Sequence, residues 1–430
     1  MKPFQLNKEQ RNYYLFIIGQ FVSQFGSKIT SYGLVLWSYK QTGSVLSMSL
    51  IAVCYLVPEV MLSFLSGSVS DRWNKKKILL VSDMIAALFS MSVILMLFTN
   101  SLRLEYLYII NFFLGVTDSF QNPAGEVTIS LIVPKEDYLK TSGIRSFFTS
   151  FIGVFAPIVA TSLYAFCGLK VIVIIDLATF VFAFTTLAAG VRIPHLTNQN
   201  QEKLPLISQS IFGIRYLTNN KKIFSLILFM AFVNLIAAIY NTNLAPMVLS
   251  RNGNNDIQLG IVSSAISIAG LIGSMLVTRL PAPSKRVPLM INIMIFSFIF
   301  CNGLLGVGRN YYIWTLAVFG GNLMIPLLTA NVEYIMRTRT PLELQGRVFA
   351  ARNTLQYTSI PIGNLLCGLL ADRVFIPYTT ASKLPGFLRI LVGGGDGGGL
   401  GLLYLAIAII GFLGCLIFRQ DRYFHSLDQD

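Results

Sequence analysis

The chain has 430 residues, with 33 Lys+Arg against 19 Asp+Glu, a formal net charge of +14 and 54% hydrophobic residues. Its mean hydropathy is +0.65, and its charged share of 12% is about half of what soluble domains carry. These figures exclude a soluble globule and a disordered chain. Because the basic residues sit between long apolar runs rather than in one stripe, they also exclude nucleic-acid binding as the reason for the charge. A polytopic membrane protein remains.

Apolar runs predict spanning helices over 13–37, 44–66, 77–99, 104–125, 144–167, 171–192, 223–248, 258–279, 287–308, 311–336, 348–376 and 399–418. Lipid leaves no other choice of structure, since an open sheet cannot satisfy its backbone there and barrel strands would alternate in polarity. The first run follows Lys2, Lys8 and Arg11 and contains Gln20 and Gln24, so it reads as an uncleaved span and not a signal peptide. Gln20, Gln24 and Lys28 recur every fourth residue and share one helical face, a polar stripe suited to lining a cavity or to structural pairing. Glu59 in span 2, Asp118 in span 4 and Glu333 in span 10 are the carboxylates inside apolar runs. They are candidates for proton coupling, with attraction of a cationic substrate or ion pairing (Lys28 with Glu59 or Asp118) as the alternatives. Glu105 and Asp176 are expected near the outer surface as solvated or capping groups.

Linker 193–222 divides the spans six and six, giving bundles over 1–192 and 223–430, and residues 207–217 can form a short amphipathic surface helix. In the second half, Asn234 and Asn241 in span 7, seven residues apart, and Gln356 in span 11 supply uncharged hydrogen-bonding groups for a substrate cavity. The run Gly393–Gly399 lacks the Lys-Ser/Thr of a phosphate loop and reads as a flexible outer loop. The five Cys lie mostly in apolar runs as small buried residues. With two His no metal site is expected, and neither a cofactor nor an enzyme activity is indicated.

Charge sets the orientation. One set of linkers with its adjoining helix ends holds 24 Lys+Arg, the alternate set holds eight, and Lys28 is left inside span 1. By the positive-inside rule both termini face the cytoplasm of a cell whose plasma or inner membrane holds the chain.

After span 2 the chain reads Gly67-Ser-Val-Ser-Asp71-Arg72-Trp73-Asn74-Lys75-Lys76-Lys77. This resembles the loop between helices 2 and 3 of the major facilitator superfamily, with Asn74 in place of the second glycine. Thr42-Gly43-Ser44, Gly115, Pro123-Ala124, Val133-Pro134-Lys135-Glu136 and the stretch Arg337 to Phe349 with Pro341, Glu343 and Gly346-Arg347-Val348 resemble the drug- and siderophore-exporter branch, which includes macrolide and enterobactin exporters. The antiporter signature of helix 5 is matched only in part, with Ala156 before Pro157, and Asn111 stands where an Arg is often found in helix 4. A second Gly-x-x-x-Asp-Arg, Gly368 to Asp372-Arg373, lies at the outer end of span 11 and reads as close packing plus an outer ion pair.

The resemblance implies an all-α membrane protein of twelve helices in two six-helix bundles around a central cavity. It implies a monomeric, proton-coupled exporter of an amphipathic small molecule. Gly67, Asp71, Arg72, Lys75 and Lys76, supported by Asp83, would form the gating loop. A transporter moving lysophospholipids between leaflets, with Lys28 on the head-group phosphate, is the alternative; a membrane sensor or scaffold that moves nothing is a third.

Overall fold

The computed structural model describes residues 8–133, 138–193, 214–277, 279–281, 283–341, 344–381 and 385–428, with backbone alone at 8–10, 63–72, 130, 138–143, 146, 345–347 and 350. The side chains of Gly67, Asp71 and Arg72 therefore lie outside the described residues, as does 194–213 of the linker; of the surface helix expected over 207–217, residues 214–217 are helical, in a turn that runs on to 219. No strand occurs among the described residues, as a lipid solvent requires of a chain built of apolar runs.

Nine helical runs among the described residues are long and apolar enough to cross a membrane. One of them, Phe147–Gly190, contains Gly168 at φ 74°, ψ 179°, a break that makes it two rods. Helices α1 (Lys8–Thr42) and α4 (Leu104–Ile132) have the length but carry polar and charged residues along it. With these the described residues are consistent with the twelve spans that the apolar runs predict. Contacts divide the chain into two units, Met1–Trp37 with Cys54–Leu206, and Ser38–Val53 with Ile207–Asp430.

In the first unit, α2 (Val45–Arg72), α3 (Lys75–Phe98) and α5 (Tyr138–Thr185) pack with α1 and α4. Gly115 permits the close crossing of α4 on α2, because a side chain there would strike the Tyr55 carbonyl and the Pro58 ring. Asn74, the residue that departs from the family loop, is the N-cap of α3, and its side chain accepts from the Lys77 N–H at 3.2 Å. Lys76 donates to the carbonyls of Ala188, at 2.9 Å, and Val191, at 2.7 Å. A cation is favoured at a helix C-terminus, so Lys76 ties the start of α3 to the end of the sixth rod. Tyr13, Phe16, Ile17, Ile78, Leu79 and Leu187 form the core beside it. Leu88, Leu95, Ile109 and Phe166 are exposed apolar side chains of the kind that meet lipid.

The second unit comprises α6 (Lys221–Arg251), α7 (Asp256–Val277), α8 (Arg286–Val307), α9 (Tyr311–Arg339), α10 (Ala351–Thr380) and α11 (Gly395–Gln420), together with Ser38–Val53. The glycine run is not a flexible loop. Gly393 (φ 83°) and Gly395 (φ 70°) turn the chain, and Gly397, Gly398, Gly399 and Gly401 are buried in the first turns of α11. They make a face without side chains: Arg251 lies against Gly397 and Gly401, and the Phe375–Ile376 backbone lies against Gly399. Helix propensity alone misreads such a run, because it weighs the entropy of glycine and not what packs against it.

Asp372 also departs from expectation. Its carboxylate accepts the Ser44 hydroxyl at 2.5 Å and the N–H groups of Val45 and Leu46 at 3.0 and 2.9 Å, the first donors of α2. Gly368 lets the first turn of α2 come this close, since a side chain there would meet Leu46 and Ser49. The second Gly-x-x-x-Asp-Arg thus holds a helix end and not an ion pair. Beside it Lys40 bonds Asp256 at 2.5 Å. Asp372→Ala should lower stability by about 1–2 kcal/mol, as loss of a helix cap does. Thermal melting of the purified chain in detergent checks this, with Asp372→Asn expected to retain part of the effect; an unchanged melt for Asp372→Ala would remove the capping role.

Candidate functional site

Glu59, Asp83, Asp118 and Asp176 of the first unit lie within spanning rods. Asp118 on α4 and Glu59 on α2 are half-buried. The Tyr55 hydroxyl, one turn before Glu59, donates to Asp118 Oδ2 at 2.5 Å, and Asn122, one turn after Asp118, donates to Glu59 Oε1 at 3.4 Å. The i, i+4 spacing of each helix thus places an uncharged donor and a carboxylate on each side of the α2–α4 crossing that Gly115 permits. Glu59 and Asp118 act on each other electrostatically, and Lys28 of α1 acts on both. Like charges this close repel, and the repulsion is relieved when one carboxylate holds a proton or a cation stands nearby.

Asp83 on α3 is 1% exposed; Gln121 of α4 donates to its Oδ1 at 2.8 Å, and its Oδ2 has no partner. Asp83 feels Asp118 through space, so it extends the carboxylate group. Its described contacts go to α4, whereas the side chains of the Asp71–Arg72 loop it was expected to support lie outside the described residues.

Asp176 was expected to be solvated or capping near the surface. It is instead 3% exposed and held by hydroxyls, Ser90 at 2.9 Å and Ser27 at 3.4 Å. Burial forces this arrangement, because a carboxylate taken out of water needs donors. The signal was in the sequence as Ser23, Ser27 and Thr30 along one side of α1. Gln24 and Lys28 are exposed and Gln20 half-buried, while Ser23 is buried, so α1 has two polar sides.

In the second unit Glu333 meets Arg352 at 2.8 Å and Arg337, one turn away, at 3.7 Å. Arg352 is 9% exposed and also donates to Asn353. Of the three coupling candidates Glu333 is thus the one held in an ion pair with arginine. The Asn234 side chain donates to the Gln356 carbonyl oxygen at 3.3 Å, which brings these two cavity candidates together, whereas Asn241 is exposed and joins neither in a described contact. Thr242 and Asn364 bond at 3.0 Å about two turns further along the same helices.

Sequence reasoning missed Arg251, counted there only as an outer basic residue. Its five N–H groups all reach backbone carbonyls: Nε that of Gly397 at 2.8 Å; Nη1 those of Leu305 and Gly308 at 3.2 and 2.7 Å; Nη2 those of Gly306 and Val392 at 3.0 and 2.7 Å. Nothing about one Arg at a helix end signals this; the glycines at 306, 308, 397 and 401 do so only once their proximity is known.

Two carboxylates beside a phenol and within reach of an ammonium can, as chemistry, hold a proton or a cation. A family model described as Major Facilitator Superfamily matches residues 16–364. Macrolide efflux protein A of Streptococcus pyogenes is 26% identical over 376 residues, covering 86% of this chain and 92% of that protein. A protein of the same name from Enterococcus faecalis is 26% identical over 323 residues, 74% of this chain and 98% of its own. The solved nucleoside transporter NupG superposes with a TM-score of 0.70 at 12% identity, covering 95% of this chain and 99% of its own, a likeness of fold alone.

Proposed function

The chain belongs to the major facilitator superfamily, and from that premise we propose that it exports an amphipathic organic molecule in exchange for protons, working by alternating access as a monomer with both termini in the cytoplasm. The substrate class is a macrolide-like antibiotic, a siderophore or a small peptide metabolite, and the macrolide efflux relatives favour the first. The observation that carries the coupling is the group of Lys28, Tyr55, Glu59 and Asp118 around one crossing of spanning helices.

Such a group offers a simple exchange. With a proton on Asp118 the carboxylates no longer repel one another. With the proton lost, the negative charge must be met by Lys28, by Tyr55 or by a cationic part of the substrate. The protein can therefore favour different conformations in the two states. Glu333, paired with Arg352, serves in this reading as a structural ion pair of the second unit.

The test is efflux in a host stripped of its own exporters. Cells expressing the chain should tolerate more erythromycin and accumulate less of it, and a protonophore should abolish both effects. Unchanged susceptibility and accumulation for macrolides, siderophores and hydrophobic peptides alike would end the export reading. Export that survives the protonophore would end the proton coupling alone.

A further inference from the structure

Three rods of the first unit meet around a buried carboxylate that the exchange proposed above does not use. Gly19, Gly26 and Gly33 recur every seventh residue on α1. They let α1 lie close along the sixth rod, since side chains there would strike Thr186, Thr179 and Ile172 in turn. That crossing sets Ser27 and Thr30 of α1 against Asp176 of the sixth rod, and Ser90 of α3 completes the group. We propose that Asp176, Ser27, Thr30 and Ser90 form a binding site for a sodium ion.

The protein alone meets the charge of Asp176 poorly. The residue is 3% exposed. Its Oδ2 accepts from Ser90 at 2.9 Å, whereas its Oδ1 has Ser27 as its one described donor, at a long 3.4 Å. Thr30 is 8% exposed and within electrostatic reach of the same carboxylate, yet its hydroxyl completes no hydrogen bond. Asp176 forms no ion pair among the described residues. Lys28, the neighbour of Ser27, acts on Glu59 and Asp118, and Lys170 lies over the Phe98 ring at 5.1 Å. The rods around the site are described with their side chains over 11–42, 75–98 and 147–190.

Carboxylate and hydroxyl oxygens are hard ligands, suited to a hard cation. A hydroxyl that donates to the carboxylate still has lone pairs to offer. With a single carboxylate, a monovalent ion leaves the site neutral, whereas a divalent ion would bury an uncompensated charge. A proton also meets the charge, but it joins Asp176 to one hydroxyl at most. A cation engages all three together, Thr30 included. Ser27 and Ser90 are half-buried and give the ion a way in. Once bound, it ties α1, α3 and the sixth rod at one point.

Equilibrium binding of radioactive sodium to the purified full-length chain in detergent tests this, beside thermal melting at fixed pH in sodium, potassium and choline chloride. Wild type should bind sodium saturably and melt highest in sodium. Asp176→Asn should weaken binding by roughly a hundredfold and melt alike in the three salts. Thr30→Val is the sharper variant, because it removes a hydroxyl that bonds nothing in the protein. Its melt in choline should be unchanged while sodium binds roughly fivefold more weakly, a split that a merely structural hydroxyl does not give. No saturable binding by wild type, equal protection by potassium, or undiminished binding by either variant overturns the proposal. If acidification raises the melt and sodium does not, the occupant is a proton; if calcium displaces sodium at equal concentration, the site is divalent. Either result also overturns it. No step reads efflux, so the outcome is independent of the proton exchange at Asp118.

Discussion

Asp118→Asn is expected to abolish uphill efflux, by roughly tenfold or more in initial rate, while the protein still inserts and still binds its substrate. The amide keeps the shape of the carboxyl and can still accept from the Tyr55 hydroxyl that sits 2.5 Å from Asp118. It cannot carry a proton, and it removes the charge that Glu59, Asp83 and Lys28 all feel. The measurement is drug efflux from proteoliposomes with and without an imposed proton gradient. Wild type should run faster with the gradient; the variant should run at one slow rate in both, with downhill exchange retained. Glu59→Gln should give a partial version of the same effect, since Glu59 is held by the weaker 3.4 Å contact from Asn122. Glu333→Gln should act differently, lowering stability by freeing Arg352 without removing the response to the gradient. A variant at Asp118 that still answers the gradient would move the coupling site elsewhere, with buried Asp176 the next residue to replace.

The second large effect is on stability. Arg251→Ala is expected to destabilise the second unit by at least about 3 kcal/mol, because hydrogen bonds to a charged group are individually strong and five carbonyls lose their partner together. Those carbonyls belong to the end of α8, the start of α11 and Val392, so the loss unpins three segments at once. In melting temperature this is a drop of roughly 6–12 °C for a unit of this size. Arg251→Lys should rescue only part of it, because an ammonium has three donors and cannot reproduce a planar fork of five. A variant that melts within about 2 °C of wild type would show that water replaces the guanidinium without cost.

How much was legible beforehand depended on range. Each spanning helix announces itself by about 20 consecutive apolar residues, so the element count was readable locally. Gly168 is the one place where two predicted spans are joined without a loop, and its left-handed φ of 74° explains why a break suffices there. The carboxylates in apolar runs were readable too, because a charge in lipid is expensive wherever the chain folds. Their partners were not. Asp176 looked like a surface residue by its position near a predicted span end, and Asp372 looked like half of an ion pair with its neighbour Arg373. Each is settled by donors from other helices: Ser27 and Ser90 in one case, the first turn of α2 in the other.

The sequence alone determined a helical membrane protein, its spans, the side of the membrane that its charge bias favours and the short list of costly intramembrane charges. These follow from composition and from the price of polar groups in lipid, which act residue by residue. Only the tertiary structure decided which carboxylates lie together, that Lys76 and Asp372 hold helix ends, that the glycine run is a packing face and that Arg251 is an internal clasp. Those depend on which backbone donors and acceptors come within 3 Å of one another, a property of helix crossings between segments as much as 328 residues apart, and no local pattern carries it.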